Sequence, residues 1–310
     1  KYTKKHEFIA LTCSFHGRTL GTLSITGQSV RRRYDMGPYL SGVAFTPAPY
    51  CYRCPFNHKY PECDMACAYF VEHVIKYSTS NNVAAFIVEP VLGEGGIIPL
   101  PDEYLKIVKE ILDQYDILLI VDEVQTGFAR TGKMFAIEHY GVEPDIMTMA
   151  KGIADGFPIS ACTARPEIGD AFEPGDHLST FGGNPISAAA ALANIEIMLK
   201  ENIPQKVREK GEYVMKRLEE MKEKFKIIGD VRGKGLMIGV EIVEDRESKK
   251  PAVDKAKKIR DLAREKGILL GRGGVVRSVI RIQPPLVITK EQLDKALNIL
   301  EEVIAVVEKE

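Results

Sequence analysis

Four short apolar runs in this sequence each finish on residues capable of chemistry. Phe15-His16-Gly17-Arg18 follows the run from Phe8 to Cys13, Glu89 follows Ala84 to Val88, Asp122 follows Ile117 to Val121, and Ala150-Lys151-Gly152 follows Ile146 to Met149. Taken singly, each has an ordinary explanation. A lysine after a strand is usually a solvated turn residue, and a strand-terminal aspartate more often caps a helix than does chemistry. Together they carry more, because ligands gather where parallel strands end, beside free backbone donors. Between Asp145 and Asp155 the only charge is that of Lys151, so a poorly solvating setting is expected. Desolvation would lower its amine from an ordinary pKa of about 10.4 and leave it able to attack an aldehyde. A Schiff-base lysine requires just this.

The stretch from Ile117 to Phe135 also invites a rival reading. Its apolar run ends in Asp122-Glu123, like the magnesium strand of a nucleotide hydrolase, and Gly127-x-x-x-x-Gly132-Lys133 nearly spells a phosphate loop. That motif needs Ser or Thr after its lysine to hold magnesium, and Met134 stands there instead. The two elements also lie on one strand-turn, where a hydrolase uses separate strands. The nucleotide reading is therefore set aside.

The elements that must position these residues can be read from hydrophobic period. Short β-branched runs alternate with helical patterns through the first half, with a further strand from Ile159 to Thr163, which predicts a parallel sheet covered by helices. Asp102 is placed to cap a helix through about Gln114 that carries Leu105, Val108, Ile111 and Leu112 on one face. After Pro185, Ile186 to Leu199 reads as a buried helix, and a charged helix from about Gln205 to Phe225 is expected to bridge two domains. From Ile227 onward the pattern becomes a Gly-punctuated strand, VRGKGLMIGVEIV, then a helix, the strand SVIRIQ and a final helix opened by a Thr289/Gln292 capping box. The expected fold is α/β: a mainly parallel sheet with helices on both faces over 1–200, a connecting helix over 201–226 and a smaller α+β domain over 227–310.

Composition limits the partners. A chain of 310 residues, 45% apolar, with formal charge -1, offers no electrostatic footprint for nucleic acid. No apolar run reaches the ~18 residues of a membrane helix, so neither nucleic acid nor membrane is expected as a partner. Cytoplasm is the expected compartment, and small molecules are the expected ligands.

The runs SFHGRT, IVEPVLGEGG, LLIVDEVQTGFARTGKM, MAKG, STFGGNP, VRGKGL and VIRIQPPLVI, in this order across nearly the whole chain, resemble the class III aminotransferases, fold type I enzymes that use pyridoxal phosphate. The resemblance implies that Lys151 holds the cofactor as a Schiff base and moves the substrate proton, and that Asp122 accepts the pyridine N–H in a charge-assisted bond. It implies further that Gln125 bonds the ring's phenolic oxygen, with Val124 on one face and Phe15 stacked on the other. Thr180 would reach the phosphate of a neighbouring subunit, beside Gly182 and Gly183, in a homodimer or larger assembly. Arg18 would grip a substrate carboxylate, Arg281 and Glu94 would form a switchable pair for two unlike substrates, and Glu89 would support the site.

The implied activity is ping-pong transfer of an amino group from an amino acid, with ω-amino acids such as 4-aminobutyrate or ornithine, or alanine, among the candidates, to a 2-oxo acid. An amino-acid racemase of the same family and a catalytically silent binding partner are the alternatives. The family also has a further N-terminal segment, including a Gly/Ser-rich turn that cups the phosphate, and cofactor binding is expected to depend on it. Lastly, Cys51-x2-Cys54-x8-Cys63-x3-Cys67, with His58 nearby, has spacing suited to tetrahedral zinc, to disulfides or to free thiols. The activity itself calls for no metal.

Overall fold

The computed structural model describes residues 1–28 and 34–310. Its strands are β1 (Glu7–Leu11), β2 (Val43–Thr46), β3 (Val83–Val88), β4 (Val91–Leu92), β5 (Ile98–Pro99), β6 (Leu118–Asp122), β7 (Ile146–Met149), β8 (Ala161–Ala164), β9 (Ile228–Lys234), β10 (Met237–Ile242), β11 (Gly271–Gly273) and β12 (Val279–Ile282). A six-stranded sheet runs β2-β1-β3-β6-β7-β8, parallel throughout except for the antiparallel edge pair β7/β8. The central strand β3, VAAFIV, is buried at every position, as a parallel strand covered on both faces must be.

Most of the expected core elements are present. The helix Tyr104–Gln114 buries Leu105, Val108, Ile111 and Leu112 as its period requires. It packs with the helix Ala66–Ser78 over the sheet in one apolar cluster that includes Phe86, Val88 and Leu119. Asp102 does not cap it: the N-cap is Glu103, without a side-chain bond, and Asp102 pairs with Lys234 at 3.2 Å instead. The first strand ends at Leu11, not Cys13, because the chain turns at Cys13, whose φ is 66°. The last strand of this sheet begins at Ala161, not Ile159.

The helix Pro185–Lys200 departs further from expectation. Asn184 caps it by accepting from Ser187 N at 2.9 Å, yet only Ser187, Ala191 and Met198 are buried. Ile186, Leu192, Ile197 and Leu199 face outward, so a helix apolar all round is covered on one side only by this chain. The following helix, Ile203–Lys224, buries Val207, Val214, Leu218 and Met221 in a cluster that also holds Met149, Ile153, Ile238 and Ile304.

The second sheet, β11-β12-β10-β9, is antiparallel and carries the helices Val253–Glu265 and Lys290–Glu308. The Thr289/Gln292 capping box forms as expected. The predicted strand VRGKGLMIGVEIV is in fact a hairpin, reversing at Gly235 and Leu236. Gly235 has φ 55° and sits so close to the Thr131 and Gly132 backbone that a Cβ would lie 2.5 Å from Thr131 C. No side chain other than hydrogen fits that approach. Buried Glu241, bonded to Arg53 at 2.7 Å and Arg232 at 2.8 Å, fastens this sheet to the loop after β2. Among the described residues no helix is long and apolar enough to cross a membrane.

Candidate active site

The carboxyl ends of β1, β3, β6 and β7 lie side by side in the sheet, and each delivers one predicted group. After β1 the chain turns so that Phe15 N donates to Glu89 Oε1 at 2.8 Å, and His16 Nδ1 meets Asp122 Oδ2 at 2.8 Å. Glu89 also accepts from Gly93 N at 2.9 Å, and Asp122 Oδ1 from Val124 N at 3.0 Å. Two carboxylates thus tie together three strand-end loops. Asp122 is 6% exposed, and both of its carboxylate oxygens are engaged, Oδ2 with His16 and Oδ1 with Val124 N.

His16 carried no role in the sequence reading, although it stands inside the SFHGRT run beside Phe15. Its partner lies 106 residues away, which no local pattern reveals. Glu123, adjacent to Asp122, points the other way. It is fully buried and accepts from Ile137 N at 2.7 Å and from the Thr126 hydroxyl, pinning the loop that follows β6. That loop is also where the nucleotide reading fails physically. The amides of Gly127, Ala129 and Gly132 donate to Glu123 O, Met134 O and Ala129 O, leaving no cradle for phosphate.

Lys151 opens the 3-10 turn Lys151–Ile153 with φ 49°. Contrary to the expectation of a poorly solvating setting, it is exposed, because the apolar neighbours Met149, Ile153 and Ala154 turn into the core while the lysine points away. It lines a cavity of about 410 Å³ together with Val124, Gln125, Phe128, Asn194 and Gln283. Phe15, Arg18 and Glu94 line a second cavity of about 410 Å³. The structure therefore brings Lys151, Gln125 and Val124 together, and Phe15, Arg18 and Glu94 together, while Asp122, His16 and Glu89 lie at the strand ends and line neither cavity.

Two buried polar atoms here have no hydrogen-bond partner among the described residues: Gln125 Oε1 and His16 Nε2. Leaving such atoms unmatched costs about 1–3 kcal/mol each, which an occupant with complementary polar groups would recover. A buried anion, an accessible amine, an orphaned amide oxygen and a flanking aromatic ring fit a pyridoxal phosphate ring.

The sequence model of the family described as Aminotransferase class-III matches residues 1–304. The chain belongs to the class III aminotransferases. The aminotransferase is 46% identical over 308 residues to a leucine/methionine racemase of Thermococcus litoralis, a match covering 99% of this chain and 69% of the relative. It is 44% identical to an acetylornithine aminotransferase of Methanothermobacter thermautotrophicus, covering 98% and 70%. Among solved structures, a PLP-bound amine transaminase from an uncultivated Pseudomonas species superposes with a TM-score of 0.91 at 33% identity, covering 97% of this chain and 70% of that one. The mainly parallel α/β fold, the fold type I assignment and the cofactor expected from the resemblance stand on these findings.

Other predicted residues of the aminotransferase can be located in the same way. Arg281 Nη1 bonds Glu94 Oε1 at 2.6 Å, and its Nη2 bonds Gln283 Oε1 at 2.8 Å. The Arg18 guanidinium stands 5.9 Å from the Phe15 ring centre. Thr180 lies on an exposed segment and joins neither cavity. All six cysteines are free thiols, and among the described residues no group of three or more His, Cys, Asp or Glu is arranged to hold a metal. Burial, then the other thiols of the cluster, pushes Cys51 up to about 11 and Cys67 to about 12. Both stay protonated at neutral pH, and a protonated thiol is a poor ligand and nucleophile.

Glu89 is raised to about 7, first by burial and also by Asp122, against the lowering effects of His16 and the Gly93 and Phe15 amides. The sign of its effect on stability follows. Between the unfolded value near 4.5 and about 7 the folded protein binds the extra proton, so stability declines as pH rises through that window and then levels. Glu89→Gln should flatten this slope, removing on the order of 3 kcal/mol of pH-dependent change between pH 4.5 and 7. Melting temperatures of both proteins across that range measure it. Parallel slopes in the two proteins would refute the assignment.

Proposed function

We propose that this aminotransferase takes its amino group from an ω-amino donor that carries a carboxylate and passes it to a 2-oxo acid. We further propose that it works in the cytoplasm as a homodimer with shared sites. The observation that carries the substrate reading is the Arg281–Glu94 pair at 2.6 Å beside the cavity that Arg18 lines. A guanidinium held by a neighbouring glutamate is masked for a donor whose reacting end has no carboxylate. Released, it presents a fork to the carboxylate of a 2-oxo acid. Arg18 supplies the second carboxylate grip. The acetylornithine aminotransferase relatives act on a donor of this kind by name.

Pyridoxal phosphate, when bound, supplies an aldehyde and a cationic ring that takes up the electron pair released at the substrate carbon. The chain's own residues do the rest. Lys151 Nζ, on its exposed turn, takes the proton from the substrate carbon and returns it elsewhere. Asp122, positioned by His16 and Val124 N, would accept the ring N–H. The Gln125 amide would donate an N–H to the phenolic oxygen, Val124 and Phe15 would pack on the two ring faces, and Glu89, accepting from Phe15 N, fixes the Phe15 loop. Thr180 serves the phosphate of the neighbouring subunit. Support for the dimer comes from apolar side chains around it: Leu178 and Phe181 are 85% and 81% exposed, next to the uncovered face of Pro185–Lys200. Six free thiols suit a reducing compartment.

Glu94→Gln tests the substrate reading. Freed of its masking carboxylate, Arg281 should favour α-carboxylates, so kcat/KM for glutamate rises relative to that for N2-acetylornithine or 4-aminobutyrate by about tenfold or more. An unaltered ratio would remove the pair's switching role. The leucine/methionine racemase relative supports a second reading, in which Lys151 returns the proton to the same carbon from the opposite side. A single enantiomer of leucine incubated without a 2-oxo acid separates the two: loss of optical purity favours the racemase, and a stoichiometric stop favours transfer.

A further inference from the structure

We propose that Arg130 is a positioning residue for the 2-oxo acid. By bonding the carbonyl of Pro284 it fixes the loop that carries Gln283, and through Gln283 it sets the plane in which the Arg281 guanidinium meets a carboxylate. The proposal rests on the role given to Arg281 above and adds a residue that lines the Lys151 cavity. Arg130 Nη1 donates to Pro284 O at 2.6 Å and to Leu236 O at 3.2 Å. Leu236 N donates in turn to Arg130 O at 3.1 Å, so the main chain and side chain of one residue grip the same hairpin reversal. The two residues before it, Phe128 and Ala129, are buried and hold φ 54° and 68°. Residues with side chains persist in that left-handed conformation only where surrounding contacts impose it. The bend they make delivers the guanidinium to the loop that follows β12.

That loop depends on donors from elsewhere. Pro284 and Pro285 have no N–H, so neither can anchor the segment through its own amide. Three successive carbonyls accept instead: Pro284 O from Arg130, Pro285 O from Ile288 N at 3.1 Å, and Leu286 O from Lys210 Nζ at 2.9 Å. Ile288 belongs to the same segment, Lys210 comes from the helix Ile203–Lys224, and Arg130 comes from the loop after β6. Arg130 also takes the carbonyl next to Gln283. Gln283 Oε1 accepts from Arg281 Nη2 at 2.8 Å and from its Nε at 3.2 Å, which holds one edge of the guanidinium and stops it turning. A two-point contact with a carboxylate requires that plane to be set in advance. Gln283, Pro285 and Leu286 line the Lys151 cavity together with Arg130, so the loop joins that cavity to Arg281.

Steady-state kinetics of the holoenzyme and its variants test this, with 2-oxoglutarate as acceptor and N2-acetylornithine as donor. A lysine nitrogen falls one bond short of Nη1, so Arg130→Lys keeps the charge while loosening both bonds. KM for 2-oxoglutarate should rise by about fivefold or more, with kcat and KM for the donor each within about twofold of the unaltered enzyme. Gln283→Leu cuts the link to Arg281 and should produce the same rise, and adding Arg130→Lys to it should change KM by less than about twofold. Effects that simply multiply in this cycle, a fall in kcat with KM unmoved, or an unaltered KM in Arg130→Lys would each overturn the proposal. Hydrogen exchange at the Leu286, Val287 and Ile288 amides needs no turnover and should quicken by about fivefold or more in Arg130→Lys. It also locates a failure: unaltered KM with quickened exchange removes the role of Arg281, and unaltered KM with unchanged exchange removes the hold of Arg130 on the loop.

Discussion

Lys151→Ala is expected to lower kcat on the order of 10^4-fold, the upper end of what one positioned acid–base group contributes. Lys151 is exposed at the first position of a 3-10 turn, so the substitution removes an amine without opening the core. The melting temperature should therefore move little, since substitutions away from packed positions usually fall within about 0.5 kcal/mol. Added methylamine offers a further readout. If the lysine acts by moving a proton at its Nζ, a small amine diffusing into the cavity lined by Val124 and Gln125 should restore part of the rate in proportion to its concentration. Retention of more than about a tenth of the wild-type rate would show that another group carries the proton.

Asp122→Asn carries the second large effect. Asparagine preserves size and can still accept from Val124 N, the bond seen at 3.0 Å, so the strand-end loop should persist. The substitution removes the negative charge, and with it the preference for a protonated ring nitrogen. Loss of one preorganised electrostatic contact in such a site typically costs about 10^2–10^3 in kcat. On the proposed role of this charge in retaining the cofactor, the dissociation constant for pyridoxal phosphate should rise in the variant, which equilibrium dialysis measures independently of turnover. A variant with normal kcat and normal cofactor affinity would contradict the role given to Asp122.

Which parts of this arrangement were legible beforehand follows from the range over which each interaction acts. Asp122 and Lys151 are readable because each terminates an apolar β run, and strand ends of a parallel sheet are a local, periodic signal. The Glu94–Arg281 pair spans 187 residues and has no local signature, so only the family resemblance brought the two together before the structure did. His16 and Glu123 have no local signature for related reasons: one finds its partner across the sheet, and the other is defined by its bonds to Ile137 N and Thr126. The exposure of Lys151 reverses an expectation built on neighbouring residue types, because adjacent positions on a turn point in different directions. The helix Pro185–Lys200 misleads similarly, since its apolar composition reports that it is to be covered without saying by which chain.

The hairpin at Gly235 shows the opposite limit. VRGKGLMIGVEIV has strand-like residues throughout, and what divides it is a contact with Thr131 and Gly132 about a hundred residues earlier. Glycine at 235 could have signalled a turn by itself, but Gly233 and Gly239 in the same run remain within strands. Local composition thus locates the elements well and their reversals less well, while the charged side chains that assemble the site answer to tertiary geometry alone.

The cofactor's attachment point is the claim on which the other roles rest, and chemical trapping examines it most directly. Borohydride reduction of the holoenzyme, followed by proteolysis and peptide mass mapping, should place a pyridoxyl group on the peptide containing Lys151. A pyridoxyl group on a different lysine, or none on a holoenzyme that transfers amino groups, would contradict it.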